Sequence, residues 1–525
     1  MEERSLNTKE KKDLEWGKEA YKSIIFEVLY EAVDQKQKTR KRKSVKTGPA
    51  NDAADMTLPT FIAVLLTLNL CQCGRFGCPT RVQIKPCLCN EKSRGLDISC
   101  ENAKVDQLRE ALASVAQTKQ AIWYLKLRNN HLGTLPSHLL QGLDVRHFIA
   151  LHCNLSAVDE SAFSGIADKL ETLDFAQNAF ERVPSHAIEN LTALVSLNLN
   201  YNRLEILHAE AFKGLQSLLR LSLYGNRIKF IDNLAFVGVG RNLTRINLGA
   251  NQLTAVPSRP LKNLALLQRL QLHENHIEAL LPEEFAIMGG ESLDVLDLAN
   301  NRVQTLPPRA FMSLQVLNSL DLERNLITNI HVHAFQGIED SLEWLKLGVN
   351  RLEEIPAQPL KNLSRLRQLD LRGNNISKVK EDDFLPYGKN LKFIYLQNNW
   401  LTSIDPIAFV SLDSLEWLHL QSNQLNTFPY ETYSPVLNTL QVFDIHDNPI
   451  HCDCKIAWLR DWIQNKGASI VKLPQHTRCE TPEEYQNMPL AEIPNDQLIC
   501  VAKASITYAA IFVQLFSLAV WYILS

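Results

Sequence analysis

Residues 121–136 read "AIWYLKLRNNHLGTLP". With Asn130 as origin, Ile122, Leu125, Leu127, Leu132 and Leu135 fall at offsets −8, −5, −3, +2 and +5. The same offsets from Asn202 find Leu194, Leu197, Leu199, Leu204 and Leu207, and the grid recurs around Asn251, Asn325, Asn350, Asn399 and Asn423. The marker falls at 130, 153, 178, 202, 226, 251, 275, 301, 325, 350, 374, 399, 423 and 448, fourteen units spaced by 23 to 26 residues. At 153 the marker is Cys153, whose −8, −5, −3, +2 and +5 neighbours are Val145, Phe148, Ala150, Leu155 and Val158. A lone cysteine in that register fills a buried polar slot, where a small thiol fits and lacks a base to activate it. The expectation is a free structural thiol, and not a nucleophile.

The offsets carry their own physics. Alternation at −5 and −3 predicts a short strand with its leucines inward. The marker side chain turns inward where the chain leaves the strand, a place for a residue with both donors and acceptors. A second apolar layer stands at +10, with Phe163, Phe212, Phe236, Phe285, Phe311, Phe335, Phe384 and Phe409. Leu140, Ile188, Leu261 and Leu360 take that place in units that also carry Pro136, Pro184, Pro257 and Pro356 at +6, which predicts a nonhelical return limb. One unit cannot bury its own leucines; stacking does. A longer period is present too. Residues from Asn226 map onto those from Asn325 at an offset of 99, which becomes 98 after Gly289, as if four units had duplicated as a block.

This pattern is that of the leucine-rich repeat. The expected fold is an α/β solenoid, a horseshoe of about fourteen repeats with short parallel strands on its concave face. Six of eleven cysteines lie between Cys71 and Cys100 and four between Cys452 and Cys500, at the two ends of the array. Open ends of a solenoid need caps. Spacing leaves the disulfide connectivity open, and zinc is a weaker alternative in an oxidising compartment. The C-x-C followed by W-L-x-x-W (Cys452, Cys454, Trp458, Leu459, Trp462) resembles extracellular leucine-rich repeat proteins with cysteine-rich flanking domains, of adhesion or receptor type. That resemblance covers about residues 78–500 and implies the pairs Cys78–Cys89, Cys87–Cys100, Cys452–Cys479 and Cys454–Cys500. "VDQLREALASVAQ", with Val105, Leu108, Leu112 and Val115 at helical spacing, departs from it and predicts an extra helix in the first cap.

The expected organisation is a charged extension at 1–55, a signal peptide at 56–73, a cap at 78–121, repeats at 122–450, a second cap at 451–500 and a hydrophobic tail at 501–525. The apolar run Leu58–Leu70 has the length of a secretory core, and Met56 is a better start for it than Met1, so 1–55 is read as absent from the working protein. Within 1–55, Tyr21, Ile24, Ile25, Val28 and Ala32 have helical spacing. The tail is read as a glycosylphosphatidylinositol signal with Ala502 as attachment residue, since no basic residue follows Lys503; a single transmembrane span is the alternative.

A net charge of −3 gives no bulk attraction to nucleic acid. No metalloprotease, phosphate-loop, nucleophile-elbow or dinucleotide motif occurs, so neither an enzyme nor a cofactor is expected. Gly238 and Gly240 are loop punctuation, and His331 and His333 are surface residues. What remains is the strand face turned from the leucines, at −6, −4 and −2. There Trp344, Phe393, Tyr395, Trp417, His419 and Asp370 are expected to form an exposed partner-binding patch. The acidic row Asp297, Asp321, Glu323 and Asp370 is expected to meet a basic contact on that partner. Asn154, Asn190, Asn242, Asn362 and Asn375 head N-x-S/T sequons away from these columns. The expected function is noncatalytic recognition of an extracellular protein ligand or receptor, at the outer face of the plasma membrane or secreted. The alternative is a noncatalytic accessory subunit of a secreted enzyme complex, because the chain is also similar to the leucine-rich subunit that accompanies arthropod luciferase.

Overall fold

The computed structural model describes residues 77–466, 474–494 and 496–498. All of them fall in one structural unit, Phe76–Ser525. The extension 1–55, the signal segment 56–73, Cys500, Ala502 and the tail lie outside the described residues.

Each of the fourteen markers follows a strand of one parallel ladder. Two cap strands precede them, giving a sheet of sixteen strands among the described residues. Cross-strand register matches offset with offset. Leu221, for example, pairs with Leu197 on one side and Ile246 on the other, all at −5. Apart from Leu132 in the first unit, which is half-buried, the inward leucines are buried, as are Leu140, Ile188, Leu261 and Leu360 in the second layer. At roughly 1.5–3 kcal/mol per buried large apolar side chain, this column is the main source of stability. Outside it the phenylalanines form a spine: Phe212 stacks on Phe236 at 5.6 Å, and Phe285, Phe311 and Phe335 follow at 5.8 and 6.2 Å. The array is thus an α/β solenoid, with its sheet on the inner wall and its return limbs outside.

The asparagine markers are a polar ladder inside an apolar stack. Asn251 donates Nδ2–H to the carbonyls of Leu223 and Leu248 at 3.0 and 2.9 Å, and its Oδ1 accepts from the Ile228 amide at 3.0 Å. One side chain thereby satisfies backbone groups of two units where the sheet ends. The residue just before the marker has positive φ in every unit, from His152 at 51° to Gly225 at 70°. Only Gly225 and Gly373 are glycines there, so the ladder's bonds hold the other residues in the left-handed region.

The return limbs differ from expectation. After Pro184, Pro257 and Pro356 come one-turn helices, Ser185–Ile188, Ser258–Leu261 and Ala357–Leu360, where a nonhelical limb is the sequence expectation. The proline precedes the first helical residue. Its missing N–H costs nothing at a helix start, and its fixed φ starts the turn. The limb after Pro136 is a plain turn.

The first cap is an antiparallel hairpin, Cys87–Lys92 with Gly95–Glu101, in which Cys87 faces Cys100 and is bonded to it. A second disulfide joins Cys78 and Cys89. Gly95 (φ 145°) turns the hairpin where a Cβ would stand 2.5 Å from the Ala121 carbonyl oxygen. The helix Val105–Ala116 buries Leu108, Ala111, Leu112 and Val115, with Val105 at the rim. Asn130 ties this cap to the array by donating to Cys100 O and accepting from Ala103 N. At the other end Cys452 is bonded to Cys479. Cys454 is also disulfide-bonded. Trp458 donates to the Phe428 carbonyl at 2.8 Å and Leu459 is fully buried, so the second cap seals the last unit. The resemblance to flanking domains is therefore carried by real disulfides at both ends.

Candidate functional site

The strands Trp344–Lys346, Gln368–Asp370, Phe393–Tyr395 and Trp417–His419 are consecutive in the sheet. Their −6 residues are Trp344, Gln368, Phe393 and Trp417, in mutual register. Trp344 and Phe393 stack at 6.1 Å although the strand of Gln368 runs between theirs. Phe393 then meets the edge of Trp417 at 5.1 Å, Trp417 meets His419 at 6.3 Å, and His419 lies flat on Tyr395 at 5.0 Å. Five expected site residues therefore form one continuous set of rings. Trp344, Phe393, Tyr395 and Trp417 are half-buried, presenting part of each ring to the wall's open side.

Two expected contact residues are not exposed. His419 is 5% accessible and Asp370 2%. Neighbouring rings cover His419, whereas Asp370 is held beneath Arg372: its Oδ2 is 3.1 Å from the guanidinium and its Oδ1 accepts from the Arg372 amide at 3.1 Å. Neither forms part of the exposed surface of the patch.

The acidic row is also corrected. Each member has a partner within the chain, because bases stand one or two strands along. Asp297 is 3.1 Å from His273, Asp321 is 2.7 Å from Lys346, and Arg372 reaches Glu323 at 2.6 Å. Burial acts to raise the Asp297 carboxyl, but His273 outweighs it and the net shift is down. Burial raises Asp321 in spite of Lys346. Asp370 is pushed up to about 6, chiefly by burial, with Arg372 opposing. This row is a neutralised network, so no free acidic stripe awaits a basic partner.

Cys153 is the only free cysteine among the described residues and is fully buried. Burial raises its thiol pKa. The sequon residues Asn154, Asn190, Asn242, Asn362 and Asn375 are all exposed, as are His331 and His333.

The wall has a second ring cluster that the sequence reading missed. Tyr124 stacks on His147 at 4.8 Å, Trp123 meets His147 at 4.7 Å, and Arg94 lies 5.1 Å over Trp123. Tyr124 and His147 share the −6 offset, so extending that column to the first units would have found them. Among the described residues no group of three or more His, Cys, Asp or Glu side chains is arranged to hold a metal ion. No helix among them is long and apolar enough to cross a membrane.

A leucine rich repeat model matches residues 145–204, 192–240, 241–289, 291–347, 340–387 and 381–425, together more than half of the chain. The chain is 27% identical over 143 residues to leucine-rich repeat-containing protein 3 of Danio rerio, covering 27% of this chain and 50% of that one. It spans about half the length of the curated relatives it matches. A chain in the octameric complex of Latrophilin 3, Unc5D and FLRT2 is 26% identical with a TM-score of 0.50, covering 59% of this chain and 91% of that one. A chain in the mouse RP105/MD-1 complex aligns with a TM-score of 0.58 at 18% identity, covering 75% and 72%, and supports the fold alone. With fourteen in-register units, disulfide-bonded ends and that match, the chain belongs to the leucine rich repeat family.

Proposed function

We propose that this is a noncatalytic recognition protein that takes up a protein partner on the C-terminal half of its inner wall. The observation that carries this is the half-buried ring set Trp344, Phe393, Trp417 and Tyr395. Rigid aromatics with open faces are typical anchors of protein interfaces, and they lose little entropy on binding. His419 packs against Tyr395 and Trp417 within this set. The disulfide-bonded ends support an oxidising, extracellular setting. On this reading Cys454 pairs with Cys500, the domain limits are those given by the sequence, and the exposed sequons carry glycans. A solved relative at 26% identity is a chain of the octameric complex of Latrophilin 3, Unc5D and FLRT2, which is consistent with partner binding.

The test compares wild type with Trp344→Ala/Trp417→Ala in cross-linked pull-down from intact cell surfaces. A second control variant, Leu385→Ser/Val410→Ser, changes exposed residues of the return limbs. Wild type and this control should capture the same partner and the double variant none, at closely similar melting temperature. Capture of that partner by the double variant would place the site elsewhere.

A further inference from the structure

The residue one place after the marker lies outside the buried stack, and across the units it is mainly Arg, Gln, Asn or His. Trp400 departs from this. It stands at +1 between Asn399 and Leu401, both buried, and is itself 60% exposed, the one exposed tryptophan among the described residues. An indole so open to water calls for something that covers it. At the same offset in the preceding unit stands Asn375, which heads the sequon formed with Ile376 and Ser377. Two hydrogen bonds tie these positions together. The Trp400 amide donates to the Ile376 carbonyl at 3.0 Å, and the Ile376 amide donates to Asn399 Oδ1 at 3.2 Å. Asn375 is exposed as well. Repeated register sends both side chains outward from backbones one ladder step, about 4.8 Å, apart. The other sequon at +1, Asn154, has Ala179 in the place of Trp400.

We propose that Asn375 carries an N-glycan whose first sugar folds onto Trp400 and covers the indole. This rests on the extracellular reading given above. A β-linked N-acetylglucosamine ring holds its hydroxyls around the rim and turns C–H groups to its faces. The electron-rich face of an indole attracts such C–H groups, and both surfaces leave water on contact. The first sugar is joined to the Asn375 side chain, so it needs no long reach to a ring on the next step of the ladder. A protein partner is a poorer occupant. A hot spot is packed and dried by its surroundings, whereas the same-offset neighbours of Trp400 are Asn375 and Gln424, both polar and exposed. With Trp400 masked by sugar, the half-buried ring set of the inner wall remains the aromatic surface open to a partner.

The full chain, secreted from animal cells, is labelled with hydroxyl radicals and read by peptide mass spectrometry. Ser377→Ala removes the sequon and leaves Asn375 in place. Trp400 should be labelled about threefold more slowly in wild type than in this variant, as its 60% exposure falls to roughly a third of that. Trp417, half-buried on the wall, should be labelled equally in both. Trimming the glycan to its first sugar should keep Trp400 protected, and complete enzymatic removal should expose it. Ser377→Ala should also lower the melting temperature by about 2 °C, and by less than half of that when Trp400→Ala is already present. If Ser377→Ala is not secreted, enzymatic removal from folded wild type gives the same comparison. Equal labelling of Trp400 with and without the glycan, protection lost on trimming to the first sugar, or a melting shift unchanged by Trp400→Ala overturns the proposal. So does an unmodified Asn375 beside glycans at Asn154 or Asn362. Absence of glycan from all five sequons overturns the extracellular reading with it.

Discussion

The Cys153 thiol donates to the carbonyl of Leu127, 3.5 Å away in the preceding unit, which is one of the bonds that asparagine makes in the neighbouring units. It also lies 3.3 Å from the Leu151 carbonyl. The Leu132 amide, which an asparagine Oδ1 would take, bonds the Cys153 backbone carbonyl at 3.0 Å instead. Replacing Cys153 with Asn should change unfolding free energy by less than about 1 kcal/mol, since the slot and its partners suit either side chain. By contrast Asn251→Ala leaves the Ile228 amide without its acceptor and takes one of two asparagine donors from each of Leu223 O and Leu248 O, and should cost about 1–3 kcal/mol. Denaturant titration of both variants checks this. A Cys153→Asn loss as large as that of Asn251→Ala would show that the thiol has another task.

Phe311 sits in the spine between Phe285 and Phe335 and is fully buried. Phe311→Ala should lower stability by about 3–5 kcal/mol. Because each unit contacts only its neighbours, limited proteolysis should open this region first. An unchanged cleavage pattern would argue that adjacent units close over the cavity.

Asp370 gives a pH prediction with a defined sign. Its carboxyl is raised from 3.8 to about 6 by burial, partly offset by Arg372. A group whose folded pKa exceeds its unfolded one stabilises fully below the unfolded value. That stability is lost as pH rises through the folded value. Between pH 3.8 and about 6, the Asp370 contribution should therefore decline by up to about 3 kcal/mol. Asp370→Asn should flatten that part of the profile and raise the melting temperature at pH 7.5. A steeper profile in the variant would mean that the Arg372 ion pair outweighs burial.

Val349 is β-branched yet held at φ 53°, the position where Asn129, Asn300 and Asn398 stand in other units. Val349→Asn should gain about 1 kcal/mol by relieving that conformation. Paired thermal melts are sufficient to see it, and a loss would show that the exposed valine packs on its neighbours more than it strains.

Enzymatic removal of N-glycans should reduce the mass of the secreted protein at Asn154, Asn190, Asn242, Asn362 and Asn375, the five exposed sequons. Peptide mapping after release should show aspartate at each. Unmodified asparagine at all five would contradict the extracellular reading.

The sequence by itself determined the unit, the number of units and which side chains face inward. A strand alternates with period two and a solenoid repeats its register, so the offsets of Leu125 and Leu127 from Asn130 fix burial in every later unit. The alignment of Asn375 with Trp400 is in principle contained in those same offsets. The tertiary structure alone decided which polar groups meet. Glu323 and Arg372 are bonded although two units apart, and His273 reaches Asp297 on the next strand. Side chains on the wall lean sideways across an intervening strand, as Trp344 and Phe393 do toward each other, and a linear pattern carries no record of that lean. The same lateral packing buries His419 and Asp370, which an outward offset alone would leave exposed. Offset selects the face of the sheet, whereas access to solvent on that face depends on the size and direction of the neighbours on either side.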